Sequence, residues 1–171
     1  MEESIEQMNE SMLSNKKGAM PQTVKQDVAL PKTTLLQGDF VTFEDITSYS
    51  PLTLAFIGDS VYEMVIRTII ISQGNRPVNK LNKMTSNLAK AGTQAKMIRC
   101  LQEVLSEEEM KVFKRGRNAK SFTMAKNATV NDYRYATGFE ALIGYLYILG
   151  NNERIVELIQ LGIEKIGEMK Q

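Results

Sequence analysis

Along most of the chain apolar positions recur three and four apart, the period of a helix, and no segment alternates as a strand does, so the pattern predicts an all-α fold. The strongest stretch is 50–73, SPLTLAFIGDSVYEMVIRTIIISQ. Ser50 suits a helix cap and Pro51 a first turn, where a missing N–H costs nothing. Apolar side chains at Leu52, Leu54, Ala55, Phe56, Ile57, Val61, Met64, Val65, Ile66 and from Ile69 to Ile71 point to nearly every side, which predicts a central helix covered all round. Asp59, after Gly58, interrupts it, and Glu63 follows one turn later on the same face. A carboxylate in such a helix must be paired, hydrogen-bonded or bound to a cation. The structural alternatives are a Lys or Arg from another helix for Asp59 and an i,i+4 pair with Arg67 for Glu63.

The remaining pattern predicts five further helices. Gly74 and Pro77 mark a turn after the first one. Two helices then fill 78–105, one with Leu81, Met84 and Leu88 in register, the other with Ala95, Ile98, Leu101 and Leu105, joined near Gly92. Lys80, Lys83, Lys90 and Lys96 fall on their polar sides. Ser106 and Glu109 form a capping-box pattern that opens a helix running to about 118. Asn131 or Asp132 is placed to cap the next, whose apolar stripe is Tyr135, Phe139, Leu142 and Leu146 and whose small residues Ala136, Ala141 and Gly144 admit a close neighbour. Glu140 interrupts that stripe. If that neighbour is the 50–73 helix, Gly58 and Gly144 can face the gap and Asp59 and Glu140 converge there, and two converging carboxylates raise each other's pKa unless a cation lies between them. A last helix from Asn152 carries Ile155, Leu158, Ile159, Ile163 and Ile166 on one side.

Composition narrows the chemistry. The chain has 171 residues, 43% of them hydrophobic, enough for one domain with a single core, expected at 46–171. Residues 1–45 hold eight of the 20 acids and four of the 21 basic residues, with no sustained apolar period, and are expected to be a largely disordered acidic extension in which Leu35, Leu36, Phe40, Val41 and Phe43 could dock a short piece on the domain. The other 126 residues then carry 17 basic and 12 acidic side chains, a cationic surplus hidden by the net charge of +1. There is no histidine and a single cysteine, Cys100, which excludes imidazole catalysis, His-ligated zinc and disulfides and suits the cytoplasm. No apolar run is long enough for a membrane span. Any metal must therefore be a hard, oxygen-liganded one. Between Lys111 and Arg134 there are seven basic residues and one acid, a density that invites a polyanion, with a plain soluble loop as the alternative. Arg115, Arg117, Asn118, Lys120 and Lys126 are the candidates for phosphate and sugar contacts.

The blocks FIGDSVYE at 56–63, KRGRNAKS at 114–121 and YRYATGFEALIGYL at 133–146 together resemble the ribonuclease III endonuclease domain, and in detail its compact Mini-ribonuclease III subgroup, over about residues 47–167. The resemblance implies that family's helical bundle and a magnesium-dependent endoribonuclease for double-stranded RNA. Asp59 and Glu140 match the positions of the metal-binding carboxylates. Larger relatives have further acids where this chain has Leu52, Ala55 and Thr137, so the number of ions held together is open. Glu63 fits the subgroup pattern in an outer-shell or structural role. The resemblance further implies a homodimer with Phe56 at its interface, a precursor of the large-subunit (23S) ribosomal RNA as substrate, trimmed at its paired ends, and room for a ribosomal-protein accessory. Two other readings stand beside it: a non-catalytic RNA-binding module that has lost metal acids, and a helical adaptor that uses its apolar helix for a protein partner.

Overall fold

The computed structural model describes residues 43, 45–120 and 129–167, in which six α-helices and two short 3-10 turns form a bundle without strands. The expected acidic extension lies outside the described residues except for Phe43, which packs against the core, and Asp45. Helix α1 spans Pro51–Ser72, capped by Ser50 Oγ, which accepts from Thr53 N at 3.0 Å. Helices α2, Val78–Ala89, and α3, Ala91–Leu101, meet at Lys90, whose extended backbone breaks the helix. Gly92 thus falls inside the first turn of α3 rather than at the join. A 3-10 turn, Gln102–Val104, leads to α4, Glu107–Arg117, where both capping-box bonds form: Glu109 N donates to Ser106 Oγ at 3.2 Å and Ser106 N to Glu109 Oε2 at 2.8 Å.

Helix α5 spans Val130–Ile148 and starts earlier than its apolar stripe predicts. Its cap is Thr129, whose hydroxyl accepts from Asp132 N at 3.0 Å, so Asn131 and Asp132 lie in the first turn, where the acid meets the positive helix end. Helix α6, Asn152–Ile166, ends at Gly167 in the left-handed conformation, φ 69°.

The centre of the bundle is α5, not α1. Eleven of its 19 residues are buried, against seven of 22 in α1, and it packs on α1, α3, α4 and α6. The expectation that α1 is covered all round is corrected here. Leu52, Phe56, Met64 and Ile71 are exposed, Phe56 by 80%, and at about 100° per residue they lie on one side of the helix. An apolar face kept for another surface has the same composition as a core face, which is why the pattern could not separate them.

What positions everything else is how closely α1 and α5 cross. A Cβ added to Gly58 would stand 1.8 Å from the Glu140 carbonyl oxygen, and one added to Gly144 would stand 2.0 Å from that of Leu54. Both clashes are with backbone, which cannot rotate away. Gly58→Ala should therefore cost about 3 kcal/mol or more, read as a lowered thermal midpoint; an unchanged midpoint would show that the crossing can open without penalty.

Candidate active site

Asp59 and Glu140 flank that crossing. Glu140 is half-buried on α5, its backbone against Gly58, and its carboxyl pKa is pushed up to about 8, first by burial and then by the charge of Asp59. Asp59, expected as a buried acid, lies instead on the exposed side of α1. Its pKa is still raised, because protein on its inner side displaces water and the Glu63 carboxylate adds repulsion. The mutual repulsion of Asp59 and Glu140 falls on Glu140, since the more buried member of a coupled pair takes the first proton. Among the described residues no ion pair reaches either acid. Elsewhere acids are matched: Glu109 to Arg154 Nε at 2.8 Å and Asp132 to Arg99 at 2.8 Å, each with its pKa lowered by that partner's hydrogen bond.

Glu63 takes the structural partner open to it, accepting from Arg67 Nε at 2.9 Å and from Nη2 of the same guanidinium. Behind the two acids stand Tyr62 and Gln94, neither of which motif reading singled out. Tyr62 is fully buried, set edge-on to Phe139 with ring centroids 5.7 Å apart, and its hydroxyl donates to Leu88 O at 3.0 Å. Gln94 faces Glu140 from α3 and favours its ionised form, as an N–H donor does. The signal for Gln94 was present in the chain: a lone amide in register with Ile98 and Leu101.

The basic residues divide. Lys114, Arg115 and Arg117 occupy the last turn of α4, where positive charge also suits the helix dipole. That turn is docked on α5 through Gly116, whose added Cβ would meet Ala141 Cβ at 2.7 Å and Gly138 Cα at 2.9 Å, within a turn of Glu140. Arg117 lies over the Phe113 and Tyr135 rings at 5.7 and 5.6 Å, and Arg115 donates to Tyr49 O at 3.4 Å. Asn118 and Lys120 are exposed beyond the helix end, and Lys126 lies outside the described residues.

The donor set suits a hard cation. Two carboxylates without a positive partner among the described residues, one of them held above its normal pKa by burial and then by the other's charge, are what Mg2+ tolerates, since it takes one or two carboxylates and fills its shell with water and phosphate oxygens. No group of three His, Cys, Asp or Glu able to hold a metal occurs among the described residues. Ala55 and Thr137, two positions where the resemblance implies acids in larger relatives, are buried, Thr137 with its hydroxyl donating to Tyr133 O at 3.0 Å.

Residues 52–151 match the model of the ribonuclease III domain, so the chain belongs to the ribonuclease III family and is an endoribonuclease of that type. Within the family it is similar to Mini-ribonuclease 3 of Clostridium tetani, 53% identical over 78% of this chain and 89% of the relative. It is likewise similar to Mini-ribonuclease 3 of Thermoanaerobacter sp. strain X514, 49% identical over 76% of this chain and 92% of that one. A crystal structure of a Fusobacterium nucleatum protein covers 74% of this chain and 100% of its own at 35% identity with a TM-score of 0.66. Membership implies double-stranded RNA as the substrate class and a divalent metal as the usual helper. No helix among the described residues is long and apolar enough to cross a membrane.

An acid whose folded pKa stands above its unfolded value binds more protons folded than unfolded between the two, so stability falls as pH rises through that window. For Glu140 the window runs from 4.5 to about 8, and with no histidine in the chain no imidazole titrates there. The thermal midpoint of metal-free protein should decline from about pH 5 to about pH 8, and Glu140→Gln should flatten the decline. A parent midpoint that stays level or climbs over this range would contradict the repulsion.

Proposed function

We propose that this chain is a magnesium-dependent endoribonuclease that cuts double-stranded RNA, with Asp59 and Glu140 as its metal-binding pair. The observation that carries the reading is their un-neutralised repulsion at the α1–α5 crossing. When bound, Mg2+ would supply a more acidic water and charge neutralisation on the phosphate, both of which phosphodiester hydrolysis uses, and with no histidine in the chain no imidazole base competes for the first role. Glu140, fixed by the packed backbone around it, sets the position of the pair, and exposed Asp59 meets the substrate side. Arg115, Arg117, Asn118, Lys120 and Lys126 grip phosphates and 2′-hydroxyls, which selects duplex shape, because the base edges of A-form RNA are buried in a deep groove. Arg117 is held ready by the two aromatic rings beneath it, which leave most of its N–H groups free.

The exposed stripe of Leu52, Phe56, Met64 and Ile71 supports a homodimer with Phe56 at its interface. Beside it lies an apolar cleft of about 260 Å³ lined by Val61, Met64, Val65, Tyr147, Asn152, Ile155 and Val156, a place for side chains of a second copy. The natural substrate we propose is precursor 23S ribosomal RNA, matured at its paired ends in the cytoplasm. A ribosomal-protein accessory would act by presenting that RNA rather than by completing the site.

Cleavage of a long RNA duplex should require Mg2+, and Asp59→Asn or Glu140→Gln should slow it by about a thousandfold or more, about 4 kcal/mol of lost transition-state stabilisation. Binding without cleavage by the parent chain would instead favour a non-catalytic RNA-binding module. Phe56→Glu should halve the mass seen by light scattering and leave the monomer folded, because that side chain touches solvent in the single chain. A variant that keeps the parent's mass would remove α1 from the interface.

A further inference from the structure

The inner neighbour of Glu140 is an amide with one atom unaccounted for. Gln94 is 1% exposed, at a position where Leu or Met would be the ordinary occupant. Its Nε2 donates to Ala89 O at 3.0 Å, and because a carbonyl oxygen only accepts, this contact identifies the nitrogen end of the amide. The same amide faces Glu140, and its remaining N–H is the group that can donate to that carboxylate. Oε1 is left buried with no hydrogen-bond partner. A buried acceptor without a donor is costly, so its donor is to be sought in the site.

We infer that Gln94 is a positioning residue for the cation site: braced on Ala89, it holds the Glu140 carboxylate toward Asp59, and its Oε1 accepts a hydrogen bond from a water ordered beside the bound cation. The inference rests on the reading of Asp59 and Glu140 as the metal pair. A water next to a divalent ion is a strengthened donor, and Oε1 is the kind of acceptor that orients it without competing for the ion. Gln94 is thus specific in both directions, donating to the acid and accepting from the water. A methionine could fill the same space with neither contact.

The test is calorimetric titration of RNA-free protein with Mn2+, together with thermal melting in EDTA. Gln94→Met should weaken Mn2+ binding about tenfold or more, while the metal-free melt shows whether the variant is folded. In cleavage assays its KM for duplex RNA should stay near the parent's, while kcat falls at limiting metal and recovers as Mn2+ is raised. Gln94→Asn, which keeps the amide but retracts it, should lose affinity in the same way, and it decides the matter should the methionine variant fail to fold. Parental Mn2+ affinity in the folded variant overturns the role given to Gln94 and leaves the metal pair standing. A parent chain that binds no Mn2+, or binds it as Asp59→Asn does, overturns the metal pair and this inference with it.

Discussion

Contact between two backbones is the constraint from which the rest of this molecule follows. Helices that cross over ordinary side chains stay 8–10 Å apart, about the length of the side chains between them. At Gly58 and Gly144 nothing stands between α1 and α5, and the chain atoms of residues 58 and 140 touch. Glu140 is itself one of the touching residues, and Asp59 follows the other and lies near enough for its charge to act on Glu140. Asp59 and Glu140 are therefore neighbours because of the glycines, and their mutual repulsion is a consequence of packing that the fold tolerates. Since α5 also carries α3, α4 and α6, the same crossing sets where the Gln94 amide and the basic end of α4 stand relative to the acids.

That repulsion is out of keeping with the rest of the structure. The buried acid Glu109 is matched bidentately by Arg154, which also donates to Val104 O at 2.7 Å and so ties α6 to α4. Tyr62 is satisfied by Leu88 O, and the caps of α1, α4, α5 and α6 are all made by side chains. A chain that solves its polar problems this thoroughly and leaves two acids facing each other, with an orphan amide oxygen behind them, concentrates its local cost in one place. Such concentration is what a site that trades stability for chemistry looks like.

Much of this was legible in the chain before any coordinates. Helix periodicity marked the elements, the capping box at Ser106 formed as its letters predict, and the small residues Gly58 and Gly144 allowed a close crossing, which the structure makes. Legibility failed where a residue's environment depends on a partner element rather than on its own helix. Apolar content could not say whether Phe56 points into a core or out of it, so α1 read as central and Asp59 as buried. The cap of α5 was misplaced because Thr129 precedes the apolar stripe that marks the helix. Gln94 belongs to no motif, only to the register of Ile98 and Leu101, and its neighbour Glu140 becomes visible once α3 is laid beside α5.

Asp59 and Phe56 are three residues apart on the same side of α1, and this couples the acid to whatever covers the apolar stripe. In the single chain Asp59 reaches water, and solvent there screens it from Glu140 and Glu63. Covering Phe56 with apolar surface removes part of that solvent. The same charges then repel more strongly, because the effective dielectric between them falls. A cation between Asp59 and Glu140 gains from the same change, since its attraction to each acid is less screened. If the proposed second copy covers the stripe and the proposed cation fills the pair, assembly and metal affinity would be coupled through a single acid placed at the edge of both surfaces.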